Sequence, residues 1–238
     1  MSVYIGTSGF SYAYWKNRFY PEKLPASQWL AYYSTRFSTL ELNNTFYRFP
    51  SVKNLKRMAD MTPEDFRFSV KMNRHVTHTL RMKQVQEEVQ AFTDTVREGL
   101  GSKLSCILYQ LPPSYTYSGD RMDDILANVR HERGHVIEFR HPSWWQERVY
   151  VLLRECSLTF CSVSYPGLPG DNVLTGSLFY RRMHGIPELF RSAYTEAALE
   201  TLAQGIPADA DAFIYFNNTM FDAGYTNAGR LQDLVRRR

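Results

Sequence analysis

Residues 105–140 read SCILYQLPPSYTYSGDRMDDILANVRHERGHVIEFR, and this stretch decides the fold. Ser105 to Leu111 is a short apolar run carrying one amide, Gln110, before the turn formers Pro112 and Pro113, the pattern of a buried strand. Met122, Ile125, Leu126 and Val129 then recur at helical spacing and mark the inner face of a helix. His135 to Arg140 is a second strand that ends in charge, at Glu138 and Arg140. A strand, a helix and a strand in succession form a crossover unit, which makes the two strands parallel.

The same alternation runs through the chain on both sides. Strand-like segments stand at Val3 to Thr7, Thr39 to Leu42, Phe66 to Lys71, Leu158 to Val163, Ser177 to Met183 and Ala212 to Phe216, making eight with the two above. Helical stripes lie between them: Leu30, Tyr33 and Phe37 after Ser27 as N-cap, then Val85, Val89, Phe92 and Val96. Ser143 and Gln146 are spaced as a capping box for a helix carrying Val149 and Leu152, and Leu231, Leu234 and Val235 face the core from the last helix. Eight such units predict an α/β protein of the (β/α)8 TIM-barrel class, as one domain over residues 1–238. An open α/β sheet is the alternative. After the sixth strand, Tyr165-Pro166-Gly167-Leu168-Pro169-Gly170 holds little helix signal, so one βα unit is expected to be degraded.

Composition excludes several classes. With 44% hydrophobic and 22% charged residues the chain is neither disordered nor membrane-embedded, and no apolar run reaches spanning length. The start runs straight into a strand without a secretory leader, so a cytoplasmic location without membrane partners is expected. Cys106, Cys156 and Cys161 form no C-x-x-C pair and read as buried reduced thiols. A net charge of +4 favours anionic partners, either a small molecule or nucleic acid, although Arg236-Arg237-Arg238 supplies much of it.

Strand-to-helix loops are long at residues 8–26, 72–83, 112–119, 164–176 and 184–194, and in a barrel all of them fall on the C-terminal face, where such enzymes work. The strand ends there offer Thr7, Ser8, Glu41, Asn43, Lys71, Gln110, Glu138, Arg140, Ser164, Arg182, His184, Asn217 and Asn218. Period-two alternation puts Arg182 and His184 on one strand face and Glu138 and Arg140 on another. Charged groups at the edge of a core are costly unless paired or working, so these residues form either a ligand site or a set of satisfied ion pairs.

In combination, Gly6-Thr7-Ser8-Gly9-Phe10-Ser11-Tyr12, Glu41-Leu42-Asn43-Asn44-Thr45-Phe46-Tyr47, Gln110-Leu111-Pro112-Pro113, Glu138-Phe139-Arg140 and Tyr180-Arg181-Arg182-Met183-His184-Gly185 are specific. With Trp15, Thr77-His78, Ser143-Trp144 and Tyr215-Phe216-Asn217-Asn218, they resemble the YecE-like family, the domain of unknown function 72. The resemblance implies a TIM barrel and a set of site positions, but no reaction. Ser164 stands where the resemblance implies an acidic residue.

Three functions fit these residues. In the first, an enzyme or binder takes a phosphate-containing or nucleic-acid-like ligand, as in a phosphate-ester hydrolase. Lys71, Arg140 and Arg182 would hold phosphate while Tyr12, Trp15 or Trp144 stacks on a base. In the second, a glycosidase-like hydrolase pairs Glu41 with Glu138. In the third, a non-catalytic protein binds a small anion. Catalysis would rest on Glu138 as general base, His184, Glu41 and Lys71, with Asn43, His78, Gln110, Asn217 and Asn218 orienting substrate. His75 and His78 are spaced H-x-x-H, and with His141, His184, Glu41 and Glu138 they make a divalent metal conceivable but not favoured.

Overall fold

A computed structural model describes residues 2–129 and 131–238. The eight strands are β1 (Val3–Thr7), β2 (Thr39–Leu42), β3 (Arg67–Lys71), β4 (Leu104–Gln110), β5 (His135–Glu138), β6 (Thr159–Ser164), β7 (Leu178–Met183) and β8 (Asp211–Phe216). All pair in parallel, in the order β1-β8-β7-β6-β5-β4-β3-β2. The ring closes between β1 and β2 through a single bridge, Ser8 to Glu41, where Gly9 N–H donates to the Glu41 carbonyl at 2.9 Å. Gly6 permits that closure, because a Cβ there would sit 2.2 Å from the Thr39 carbonyl oxygen. The result is a nearly closed (β/α)8 barrel.

Among the described residues seven helices surround it: α1 (Trp29–Ser34), α2 (Val52–Asp60), α3 (Gln86–Leu100), α4 (Gly119–Asn128), α5 (Glu147–Glu155), α6 (Glu196–Gln204) and α7 (Ala223–Arg236). Their buried faces are the stripes expected from the sequence, with Leu30, Tyr33, Val89, Phe92, Val96, Ile125, Val149 and Leu231 all in the core. Ser51, Ser118 and Thr195 cap α2, α4 and α6 by accepting a backbone N–H. Two expected caps are corrected. Gln28, not Ser27, precedes α1, after a short 3-10 turn, and Gln146 is itself the N-cap of α5. Ser143 Oγ instead accepts from the Tyr117 backbone N–H at 2.8 Å.

No helix joins β6 to β7, as the proline and glycine content of that segment predicts. The connection runs back along β6 and is held by side chains: Thr175 Oγ1 donates to the Leu158 carbonyl (2.8 Å) and accepts from Phe160 N–H (3.0 Å).

Side-chain alternation sets what the barrel encloses. Cys106, Leu108, Val136, Cys161, Val163, Tyr180, Phe213 and Tyr215 fill the interior. The Tyr215 hydroxyl finds its hydrogen bonds there on Thr39 Oγ1 (2.6 Å) and Ser69 Oγ (2.8 Å). Cys106, Cys156 and Cys161 are free thiols, and Cys156 is only partly buried. Among the described residues no helix is long and apolar enough to cross a membrane.

Candidate functional site

Continuing the inward parity past the interior layers brings Ser8, Glu41, Lys71, Gln110, Glu138, Arg182 and His184 to the C-terminal mouth. Arg182 is the hub. Its Nη2 meets Glu41 Oε1 at 2.7 Å and its Nη1 meets Glu138 Oε2 at 2.6 Å, with all three side chains essentially solvent-free. Glu41 also accepts from Ser8 Oγ and from the Tyr180 hydroxyl, each at 2.6 Å, so both of its oxygens are engaged. Glu138 Oε1 is taken by Arg140 Nε and lies 3.4 Å from His184 Nε2. His184 Nδ1 stands 2.9 Å from the Asn217 amide, and Arg140 lies over the Tyr165 ring at 4.3 Å.

This network fixes protonation. Burial would raise the Glu138 carboxyl, but Arg140 and Arg182 with the His184 hydrogen bond overcome it and hold the group well below the ordinary carboxylate range. Burial lowers His184 to about 3, reinforced by the charge on Arg140. Arg182 is raised despite burial, because Glu138 and Glu41 favour its charged form. Near neutral pH, Glu138 is thus a fixed anion and His184 a neutral ring. Both oxygens of the Glu138 carboxylate, read from the sequence as a general base, are held by guanidinium groups. The carboxylate pair is likewise cross-linked through one guanidinium, and Glu138 is no acid for protonating a leaving group.

Lys71 differs from every other charge in the ring. Its Nζ donates to Gln110 Oε1 at 2.8 Å and lies 4.0 Å from the centre of the Phe46 ring. Among the described residues no carboxylate pairs with it. Burial and the repulsion of Arg182 lower it to about 7, with Glu138 and Glu41 only partly offsetting this. The loop holding Phe46 is tied down locally: Thr45 Oγ1 donates to the Lys71 carbonyl at 2.6 Å, and Asn73 Nδ2 donates to the Thr45 carbonyl at 3.0 Å. His78 packs edge-on against Phe46 at 5.0 Å, and burial together with Lys71 lowers it to about 4.

Other expected residues fall elsewhere. Trp15 and Trp144 are fully buried, their indole N–H groups spent on the Phe221 carbonyl (2.7 Å) and the Tyr115 carbonyl (2.6 Å), so neither has a face for a ligand. Tyr12 donates to the Ser8 carbonyl at 2.6 Å and stacks on Tyr14. Asn218 is buried on the opposite parity and ties loops together through the Ser192 carbonyl (2.9 Å) and Asn227 Oδ1 (3.1 Å). Ser164 bonds outward to the Tyr194 hydroxyl at 2.7 Å, and the residue β6 gives the mouth is Tyr165. Asn43 stands at the end of β2 with a buried Oδ1 that has no partner. Exposed rings that sequence reading missed, Tyr14, Tyr47, Phe190 and Phe221, lie in the loops that follow β1, β2, β7 and β8. No group of three His, Cys, Asp or Glu side chains among the described residues is placed to hold a metal ion. His75 is exposed, and His141 Nδ1 turns to Ser143 Oγ at 2.8 Å.

The chain can be set beside known proteins on this geometry. The family model described as "Protein of unknown function DUF72" matches residues 4–238. A DUF72 family protein from Thermotoga maritima MSB8 superimposes with a TM-score of 0.90 at 31% identity, covering 99% of this chain and 100% of its own. A second, from Enterococcus faecalis V583, gives 0.84 at 19% identity over 98% of this chain and 95% of its own, a likeness of fold. The UPF0759 protein YunF of Bacillus subtilis (strain 168) is 29% identical over 156 residues, 62% of this chain. That match spans only 54% of the length of YunF.

Proposed function

The chain belongs to the DUF72 family, which carries no assigned reaction, and we propose from the site itself that the barrel mouth receives a small phosphate-bearing anion. One observation carries this reading. Among the described residues the charges of Glu41, Glu138, Arg140 and Arg182 at the mouth pair with one another, and Lys71 meets an amide oxygen and an aromatic ring. An anion seated against Lys71 would supply the missing partner and draw the amine to its charged form. Arg140, paired on Nε but still at the edge of the network, offers the neighbouring positive charge. Glu41, Glu138 and Arg182 are the frame that aims these groups.

Within this reading Lys71 is the group that exchanges a proton near neutrality, which suits an enzyme acting on a phosphate ester. The exposed rings of Tyr14, Tyr47, Phe190 and Phe221 favour a ligand that also carries a flat face, such as a nucleotide. Thermal unfolding with inorganic phosphate and a panel of phosphate monoesters tests the reading. At about 100-fold the Kd, a ligand stabilises by about 2.7 kcal/mol, or roughly 5–11 °C in a chain of this size. Lys71→Met should abolish the rise. No rise with any of them at millimolar concentration refutes the reading, and a ligand recovered chemically unchanged after long incubation reduces it to binding alone.

A further inference from the structure

We propose that the groove between α1 and α7, on the outside of the barrel, is a second ligand site that takes a nucleoside diphosphate. It uses none of the mouth residues and stands apart from the anion reading given for them.

The groove holds a cavity of about 500 Å3, a size that accommodates a nucleotide. Arg18, Arg36 and Arg236 line it, and their charge is only partly met. Arg18 pairs with Asp222 at 3.4 Å, both side chains being more than half exposed. Among the described residues no carboxylate lies within ion-pair reach of Arg36 or Arg236, and Asp233 is the one acidic side chain that lines the groove. Arg36 lies over the Tyr32 ring at 5.6 Å, and its Nη2 donates to the Tyr32 hydroxyl at 3.4 Å, which holds the guanidinium against the groove.

Aromatic rings line the groove as well. The ring of Phe19 has the rings of Tyr225, Tyr32 and Phe37 around it, at 5.0, 5.6 and 5.9 Å between centres. Phe37 is buried, whereas Phe19, Tyr32 and Tyr225 keep part of their surface open. Guanidinium groups without counter-charges beside open rings match a ligand with phosphates at one end and a flat base at the other.

Gly229 is an independent observation. It lies inside α7, where glycine costs helix stability relative to alanine. Packing does not require it: a Cβ there would meet nothing within 4 Å, whereas one on Gly224 of the same helix would meet Thr219 at 3.2 Å. Gly229 lines the groove, so its missing side chain leaves room for a ligand along α7.

The test is calorimetric titration of the full chain with ADP at about 0.15 M salt, repeated with pyrophosphate and with the variants Arg36→Gln, Gly229→Leu and Lys71→Met. We expect ADP to bind Lys71→Met as tightly as the unchanged chain and to bind Arg36→Gln about tenfold more weakly or worse. Gly229→Leu, which fills the groove with a better helix former, should weaken ADP at least as much with no fall in Tm. Pyrophosphate should bind at least about tenfold more weakly than ADP. Absence of ADP binding at millimolar concentration overturns the proposal, and so does binding that Arg36→Gln and Gly229→Leu leave unchanged. Pyrophosphate as tight as ADP removes the base from the site and overturns the nucleotide assignment. The two readings fail separately. ADP binding lost only in Lys71→Met places the nucleotide at the mouth and overturns the groove site, whereas ADP binding kept in Lys71→Met, with no stabilisation of the unchanged chain by phosphate monoesters, keeps the groove site and removes the one at the mouth.

Discussion

Replacing Arg182 by Met would break the hub of the mouth, and the structure sets the size of the effect. Arg182 pairs with Glu41 at 2.7 Å and with Glu138 at 2.6 Å, and none of the three side chains reaches solvent. Glu138 keeps Arg140 when the hub is lost, whereas Glu41 keeps only the hydroxyls of Ser8 and Tyr180 and becomes a buried carboxylate without a cation. Leaving one buried charge unpaired costs about 3–5 kcal/mol. At about 2–4 °C per kcal/mol for a chain of this size, that is a fall in Tm of roughly 6–20 °C. A second change, Glu41→Gln in the Arg182→Met background, removes the stranded charge and should recover roughly 1–3 kcal/mol. Urea unfolding of the two single variants and the double variant measures the coupling. A loss below about 1 kcal/mol for Arg182→Met, or no recovery in the double variant, would refute the view that these carboxylates are framework held by one guanidinium.

Further outcomes follow from the same groups. The amine of Lys71 is lowered from 10.5 to about 7, so between those values the unfolded chain binds the extra proton. Stability relative to Lys71→Met should therefore rise with pH across that window by at most about 1.4 kcal/mol per unit, which urea midpoints at pH 7 and pH 10 will show. His184 is buried neutral with its pKa lowered from 6.5 to about 3, so stability should fall as pH drops between them, and His184→Gln should flatten that slope in the same assay. Gly6→Ala places a methyl 2.2 Å from the Thr39 carbonyl at the closure of β1 and β2, and a loss of about 1–3 kcal/mol or more is expected by thermal unfolding.

Most of the barrel was legible because its signal is local. Apolar runs separated by helical stripes located all eight strands, and the weak helix signal after Val163 marked the missing helix. Parity put Arg182 with His184 and Glu138 with Arg140, each pair on one strand face. The roles of these residues were not legible, because pairing depends on contacts across the ring: a lone Glu138 reads as a base, while Glu138 between Arg140 and Arg182 is a fixed anion. Trp15 and Trp144 show the same limit, since a tryptophan in a loop reads as a stacking surface until its indole is seen buried. Tyr165 was within reach, because alternation along β6 from Cys161 and Val163 points to it in place of Ser164.

The most direct measurement is the titration of Lys71 itself, by following the 13C shift of its Cε with pH in selectively labelled protein. The account predicts a midpoint about 7 that moves upward when phosphate is added. A midpoint near the ordinary lysine value of about 10.4, unmoved by phosphate, would contradict it.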